Sequence, residues 1–446
     1  METKIFLTIY QNMEALQLNL NYLRTISGIS NEDIIIIDMG FDSHIRAWAM
    51  GQNDYNYICA EKLENYACIM NTAIKEFSST ENIMVLNGNI LCLGNCIQKL
   101  EEISNSQENI GAVIPVDYAA AFPQKTDLLK VLETPIDTAF EPKVQTAMKL
   151  PYQCVFFARK FIDQIGPMDE ALSLPDTVML DYSFRGLSQK WNFVYAQNIF
   201  TYEITPSVNY YAAFLTENQD NNTLREKWGM NYFNTAPNEN LVHAIQRQRD
   251  EAFTVLEIGC DCGANLVRIK NLFPKARLYG VEINPTSAAI ASGFCQVLSA
   301  NVEECCLPYS GQSFDYILFG DILEHLRDPE KVVGYCRHLL KHGGKIVASI
   351  PNLMHYTVLK SLLNGDFTYQ DMGLLDRTHI HFFTYNEIVR MFNRAGYEIT
   401  FCTYTSVPNM PEEDSRFVEQ LKQIGSSESF FYLAFQYLVV AKPKGQ

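Results

Sequence analysis

The stretch Val255–Leu266, VLEIGCDCGANL, decides how this chain is read. An apolar run enters a loop of small residues, and the loop opens onto helical spacing. Glycine lets the backbone approach a ligand closely, and a helix N-terminus is electropositive, so such a turn cradles a bound molecule. Two features set it apart from a dinucleotide loop. The acidic Glu257 sits at the strand end, and Asp261 occupies the middle position of a G-x-G-x-G pattern, between Cys260 and Cys262. A carboxylate there repels two phosphates. A ligand with an amino group and a carboxylate suits the loop better.

Around this loop the second half of the chain repeats a strand–helix rhythm. FTVLEIG, ARLYGVEI, CQVLSA, FDYILFGD and GGKIVASIP read as strands. GANLVRIKNLF, PTSAAIASGF and PEKVVGYCRHLLK read as the helices between them. This order predicts a doubly wound parallel sheet. YEITFCTYTS and FFYLAFQYLVVAKP follow as late strands, and Val407–Glu428 between them reads as a loop, so the last strand is expected to be antiparallel. In such a sheet, ligands bind at the carboxyl ends of the strands, where the strand order reverses. Strand two ends at Glu282, 282 − 263 = 19 positions after Gly263. That spacing suits a carboxylate accepting both ribose hydroxyls. Its bland alternative is an exposed acid at a strand end. Asn301 and Val302 could frame an adenine edge, or form an ordinary helix cap. Strand four carries Asp321, Glu324 and His325 into the cleft.

The first half is also α/β, with a different strand pattern. KIFLTIY, DIIIIDMG, NIMVLNGN and NIGAVIPV read as strands, with NMEALQLNLNYLRTIS and YACIMNTAIKEF as helices. The β-branched run Ile34–Ile37 marks a buried parallel strand. Asp117 to Leu150 reads as less regular. A polar, Asn-rich joint follows, giving domains at 1–228 and 251–446 with a helical linker at 229–250.

The chain has 446 residues, 47% hydrophobic and 19% charged, which is globular and long enough for two to four domains. A net charge of −16 excludes a protein that coats phosphate backbones, so no nucleic-acid partner is expected. A small anionic ligand stays open, since it needs few donors. No apolar run approaches the roughly 18 residues of a membrane span, and the N-terminus lacks a signal peptide's apolar core. A cytoplasmic chain is expected, its 12 cysteines mostly reduced. The pairs Cys260/Cys262 and Cys305/Cys306 lack zinc-site spacing, and no metal is expected.

The motifs together carry a resemblance. Residues 236–443 resemble class I S-adenosylmethionine-dependent methyltransferases through VLEIGCDCG, GVEINP, FDYILFGDILEHL, GGKIVASIPN and DRTHIHFFT, in order over the domain. The resemblance implies that Glu257, Gly259, Cys260 and Gly263 line the methionine and ribose portions. It sets Glu282 and Ile283 at the ribose, Asn301 and Val302 by adenine, and Asp321 and Ile322 beside the methionine. Asp261, where the family has glycine, is the departure. Methyl transfer to oxygen benefits from a base, and histidine suits that near neutral pH. His381, His379 and His325 are the candidates, with His381 or His379 expected to face the acceptor near Asp376 and Arg377. Each ring could instead be held structurally by backbone, and the H-x-H pair lacks a third nearby metal ligand.

Residues 1–228 resemble the GT-A fold of family 2 glycosyltransferases through KIFLTIYQN, IIIIDMGFDS, MVLNGNI and FFARKFIDQIGPMDE. The resemblance implies a sugar-nucleotide site with Asp38 at the nucleobase, Asp42 in the same loop, Asn71 near the donor, and Asn87, Asn89 and Asp181 beside it. The family's metal-binding acids are here Asn87-Gly88-Asn89, and neutral amides hold a divalent cation weakly. Met179 stands where the catalytic acid is expected, and Glu203 replaces a late histidine. A degenerate transferase follows, or a metal-independent one using Asp176 or Asp181.

Three functions fit. The first is a methyltransferase acting on a sugar, glycan or related hydroxylated acceptor, its N-terminal domain recognising the glycan or a nucleotide sugar. The second is a bifunctional glycosyltransferase/methyltransferase of surface polysaccharide or protein glycosylation. The third is a non-catalytic scaffold. The sequence sets neither the acceptor nor the oligomeric state.

Overall fold

The computed structural model describes residues 3–10, 12–39, 43–52, 54–60, 65–121, 141–204, 214–230, 234–304 and 306–445. They divide into two compact units, Met1–Phe233 and Asn234–Gln446.

In the first unit the described strands are β1 (Thr3–Ile9), β2 (Ile34–Asp38), β3 (Asn56–Cys59), β4 (Asn82–Asn87), β5 (Ile90–Cys92), β6 (Ile110–Asp117), β7 (Val144–Ala147), β8 (Cys154–Phe157) and β9 (Asn192–Glu203). They form one mixed sheet in the order β3-β2-β1-β4-β8-β6-β9-β5, with β7 on β9. β3, β2, β1 and β4 run parallel. β8 runs antiparallel between β4 and β6. All five residues of β2 are buried, as its continuous β-branched run requires. The helices Met13–Thr25 and Tyr66–Phe77 start where Asn12 and Asn65 accept backbone N–H bonds from Ala15 and Cys68. Of the stretch read as irregular, residues 122–140 lie outside the described residues, and β7 forms in the remainder.

The second unit holds β10 (Thr254–Ile258), β11 (Arg277–Glu282), β12 (Gln296–Ser299), β13 (Phe314–Gly320), β14 (Leu340–Pro351), β15 (Tyr397–Thr405) and β16 (Gln436–Pro443), ordered β12-β11-β10-β13-β14-β16-β15. The sheet is parallel through β14. β16 is antiparallel to both of its neighbours. Alternation along β10 sends Leu256 and Ile258 into one apolar layer with Phe383 and Ile388. Val255 packs on the other face with Leu241, Val242 and Ile245. The strand order reverses at β10, so its carboxyl end opens a crevice.

One expectation is corrected. The segment read as a loop, 407–428, contains the helix Glu412–Ile424. Only Val418 and Leu421 of that helix are buried, against Tyr356 and Tyr432, and so narrow a stripe gives little periodic signal. Residues 239–243, within the expected linker, form a short helix whose Leu241 and Val242 are fully buried in the core of the second unit. Among the described residues, no helix is long and apolar enough to cross a membrane.

Candidate functional site

The crevice at the carboxyl end of β10 is built from three acids. Glu257, 2% exposed, is the penultimate residue of the strand. Asn265, in the first turn of the helix Ala264–Leu272, donates its Nδ2 hydrogen to Glu257 Oε1 at 2.6 Å. Glu257 Oε2 is buried with no hydrogen-bond partner among the described residues. Burial pushes the Glu257 carboxyl up to about 8; the Asn265 bond opposes this, and Asp261 and Glu282 add to it. Asp261 takes a left-handed conformation at φ +46, which aspartate tolerates better than most side chains. This is how a non-glycine occupies the middle of the loop. Its N–H donates to Glu282 Oε2 at 2.9 Å, and the N–H of Asn284 donates to Glu282 Oε1 at 2.8 Å. Burial raises the pKa of both Asp261 and Glu282.

A cavity of about 280 Å³ opens beside these acids. Gly259, Glu282, Ile283, Asn301, Val302, Ile322 and His325 line it, so seven of the candidate residues meet at one space. Gly259 has φ +69, and a Cβ there would come within 2.7 Å of the Ile322 side chain. Other wall residues, Ile258, Arg327 and Ile380, carried no signal in the sequence beyond their neighbourhood. Asn265 was also missed, although its position at the start of the loop's helix points it back at the strand end.

The remaining candidates stand outside the cavity wall. The Cys260 side chain is buried in the core, where its Sγ fills the space a side chain at Gly280 would need. Gly263, at φ +89, precedes the helix and packs close to Ala291. Asp321, at φ +53, receives a hydrogen bond from Gln436 Nε2 on Oδ1 at 2.8 Å, while its N–H donates to Ser349 Oγ at 3.1 Å. Burial pushes its carboxyl up.

The three histidines differ. His325 lines the cavity, with Nδ1 3.2 Å from the Thr378 carbonyl oxygen. His379 is buried, and its Nε2 lies 4.0 Å from Glu324 Oε1. Burial lowers its pKa, His325 adds to that, and Asp376 opposes it. The rings of His325 and His379 meet edge to face at 4.8 Å. His381 places Nε2 3.2 Å from the carbonyl oxygen of Arg327, a structural anchor away from the cavity wall. Beside them lie the rings of Phe367, Tyr369 and Phe382, with Phe367 and Tyr369 exposed.

In the first unit, Asp38 ends β2, is 1% exposed and accepts a bond from the Tyr57 hydroxyl at 2.8 Å. Asn87 Oδ1 accepts from the N–H of Asn89 at 3.0 Å, which closes the turn after β4. Asn71 clamps the segment after residue 167. Its Nδ2 donates to the Met168 carbonyl and to Glu170, and its Oδ1 accepts from Met168 N–H. Asp181 is fully buried, paired with Arg185 at 3.1 Å and Lys227 at 2.8 Å, and accepts from Trp228 Nε1 at 2.9 Å. Asp176, the other acid considered, is exposed and pairs with Lys149. Asp42 lies outside the described residues.

Comparison with known proteins identifies the second half. A family model described as "Methyltransferase domain" matches residues 222–400. The ubiquinone biosynthesis O-methyltransferase of Coxiella burnetii is 23% identical over 147 residues, which is 32% of this chain and 62% of that enzyme. The malonyl-[acyl-carrier protein] O-methyltransferase of a Paenibacillus species is 22% identical over 186 residues, 39% of this chain and 66% of that enzyme. The chain thus spans about three fifths of the length of the first of these relatives. A SAM-dependent methyltransferase structure from Archaeoglobus fulgidus covers 49% of this chain and 98% of its own, at 17% identity and a TM-score of 0.33. The C-terminal half is a class I S-adenosylmethionine-dependent methyltransferase domain.

Proposed function

We propose that the second unit moves a methyl group from S-adenosylmethionine to a hydroxyl of a sugar or glycan. In this reading the first unit is a GT-A-like domain, no longer a transferase, that recognises the glycan or a nucleotide sugar. The observation that carries the proposal is the buried trio Glu257, Asp261 and Glu282 after β10 and β11, of which Glu282 lines the cavity. Three clustered acids, one with an unpartnered oxygen, fit a ligand carrying an ammonium and a sulfonium. Glu257 Oε2 would take the amino group. Glu282 would take the ribose, with Ile283, Asn301 and Val302 along the adenosine and Ile322 closing the wall against Gly259.

The bound donor supplies a methyl group already activated for in-line displacement. The protein's own work is then alignment and exclusion of water. Of the three candidate histidines, His325 alone lines the cavity, which favours it over His379 and His381 as the group an acceptor hydroxyl meets. The named activities of both relatives are O-methylations, which supports oxygen as the acceptor atom. The exposed rings of Phe367 and Tyr369 offer flat apolar surface on which the C–H face of a sugar can stack.

For the first unit, the parallel run reverses at β1, between β2 and β4, and Asp38 and Asn87 end two of those strands. Strand ends at such a reversal suit a nucleotide. The engagement of Asp181 by two cations and an indole favours a structural role over catalysis.

Titration calorimetry with S-adenosylhomocysteine tests the second unit; absence of heat at high concentration returns the chain to the scaffold reading. Hydrolysis of UDP- and GDP-sugars with added manganese tests the first. Turnover there that Asp181→Ala abolishes would overturn the non-transferase reading.

A further inference from the structure

We propose that Glu324, His325 and His379 form a binding site for a divalent transition-metal cation, which presents an acceptor carrying neighbouring oxygens to the cavity. Glu324 and His325 are adjacent in the short turn Leu323–His325 that follows β13. His379 arrives 379 − 325 = 54 residues later. Its loop is docked by backbone: the N–H groups of Ile380 and His381 both donate to the Glu324 carbonyl, at 2.9 and 3.0 Å. The docking brings one ligand atom from each of the three side chains within 4.8 Å of the others.

The hydrogen bonding around the cluster is incomplete in a way a cation would complete. Glu324 is 1% exposed, yet its Oε2 has no partner. Its Oε1 stands 4.0 Å from His379 Nε2, too far for a hydrogen bond. A buried carboxylate oxygen without a donor is costly. His325 is set up from behind. Its Nδ1 faces both the carbonyl oxygen and the Oγ1 of Thr378, at 3.2 and 3.3 Å. The Thr378 hydroxyl donates to Asp376 Oδ1 at 2.6 Å, so Oγ1 is free to accept. Both partners therefore ask Nδ1 for a proton, which leaves Nε2 with its lone pair. Histidines that ligate metals are oriented by such outer partners.

Two imidazoles and one carboxylate select manganese, iron, cobalt or zinc over magnesium and calcium, and leave coordination positions open. His325 also lines the cavity, so a cation held there would be open to a molecule in it. An acceptor with vicinal oxygens, which sugars have, could fill two of them. In the sequence, His379 and His381 form an H-x-H pair short of a ligand. The partners of His379 are instead Glu324 and His325, from a different strand end.

The acceptor role rests on the methyl-transfer reading; binding of the cation does not. The test is titration of the full chain with Co2+, read by visible absorption, alongside calorimetry with S-adenosylhomocysteine. The expected result is one tightly bound equivalent with a d–d band, weakened at least about tenfold in Glu324→Gln and in His379→Gln, and retained in His381→Gln. Each variant must keep its cooperative thermal transition; if Glu324→Gln fails to fold, His325→Gln, at a partly exposed site, takes its place. No band from a chain that binds S-adenosylhomocysteine overturns the site, as does a band that survives in every cluster variant. A chain that binds Co2+ at this cluster but not S-adenosylhomocysteine would keep the metal site and remove the methyltransferase reading.

Discussion

Asn265 holds Glu257 by one oxygen at 2.6 Å and leaves the other bare in a buried crevice. The carboxyl is thereby oriented but not neutralised by any cation. Burial, its largest cause, raises its pKa from the ordinary 4.5 to about 8. Between these values the folded chain keeps a proton that the unfolded chain has released. Stability of the ligand-free chain therefore falls as pH rises through that window. A ligand's ammonium group reverses the preference, because it favours the ionised carboxylate. The affinity for S-adenosylhomocysteine is expected to rise with pH by up to about tenfold per unit and to level off near 8. Glu257→Gln should flatten the curve. Calorimetry across pH checks this, and a wild-type profile already flat would remove Glu257 from the amino-group site.

Glu282 bridges two loops through the N–H groups of Asp261 and Asn284 while facing the cavity. Glu282→Gln keeps one acceptor oxygen but loses the charge. Binding of S-adenosylhomocysteine should weaken by about 1.5–3 kcal/mol, the scale of hydrogen bonds to charged groups. Unchanged affinity would separate this residue from the ribose.

His381 is placed by the Arg327 carbonyl. His381→Ala is expected to cost about 1 kcal/mol of stability while cofactor affinity stays within twofold. Thermal melts and calorimetry read the two effects apart. A large loss of turnover with no change in melting would return His381 to catalysis.

Asp181 pairs with Arg185 and Lys227 from a fully buried position. Asp181→Ala leaves both cations without that partner and should destabilise the first unit by about 3 kcal/mol. Differential scanning calorimetry of the full chain should show it, with binding of S-adenosylhomocysteine intact. An unshifted melt would mean that the network contributes little.

The second sheet was legible in the sequence because its strands are apolar runs, three of them with a distinctive acid at or beside the carboxyl end: Glu257, Glu282 and Asp321. The cavity wall was legible for the same reason, since strand ends at an order reversal face one crevice. Three things were not. The helix Glu412–Ile424 buries two side chains of thirteen, too few to mark a period. The orientation of Cys260 into the core depends on Gly280 of the neighbouring strand, which local sequence does not register. The meeting of His379 with Glu324 depends on how a long loop docks, through backbone groups that are identical in every residue. In the first unit the parallel run was readable, whereas the antiparallel β8 between β4 and β6 is a long-range pairing with no local mark.

β16 is threaded between β14 and β15 although it follows both in sequence. During synthesis, β15 must therefore wait as an orphan edge until β16 emerges and slots in beside it. The strands β10 to β14 can assemble earlier from sequential neighbours. The nascent domain thus passes through a stage in which the crevice after β10 exists while one flank of the sheet stays open, and that flank is where chaperone capture or misassociation would act.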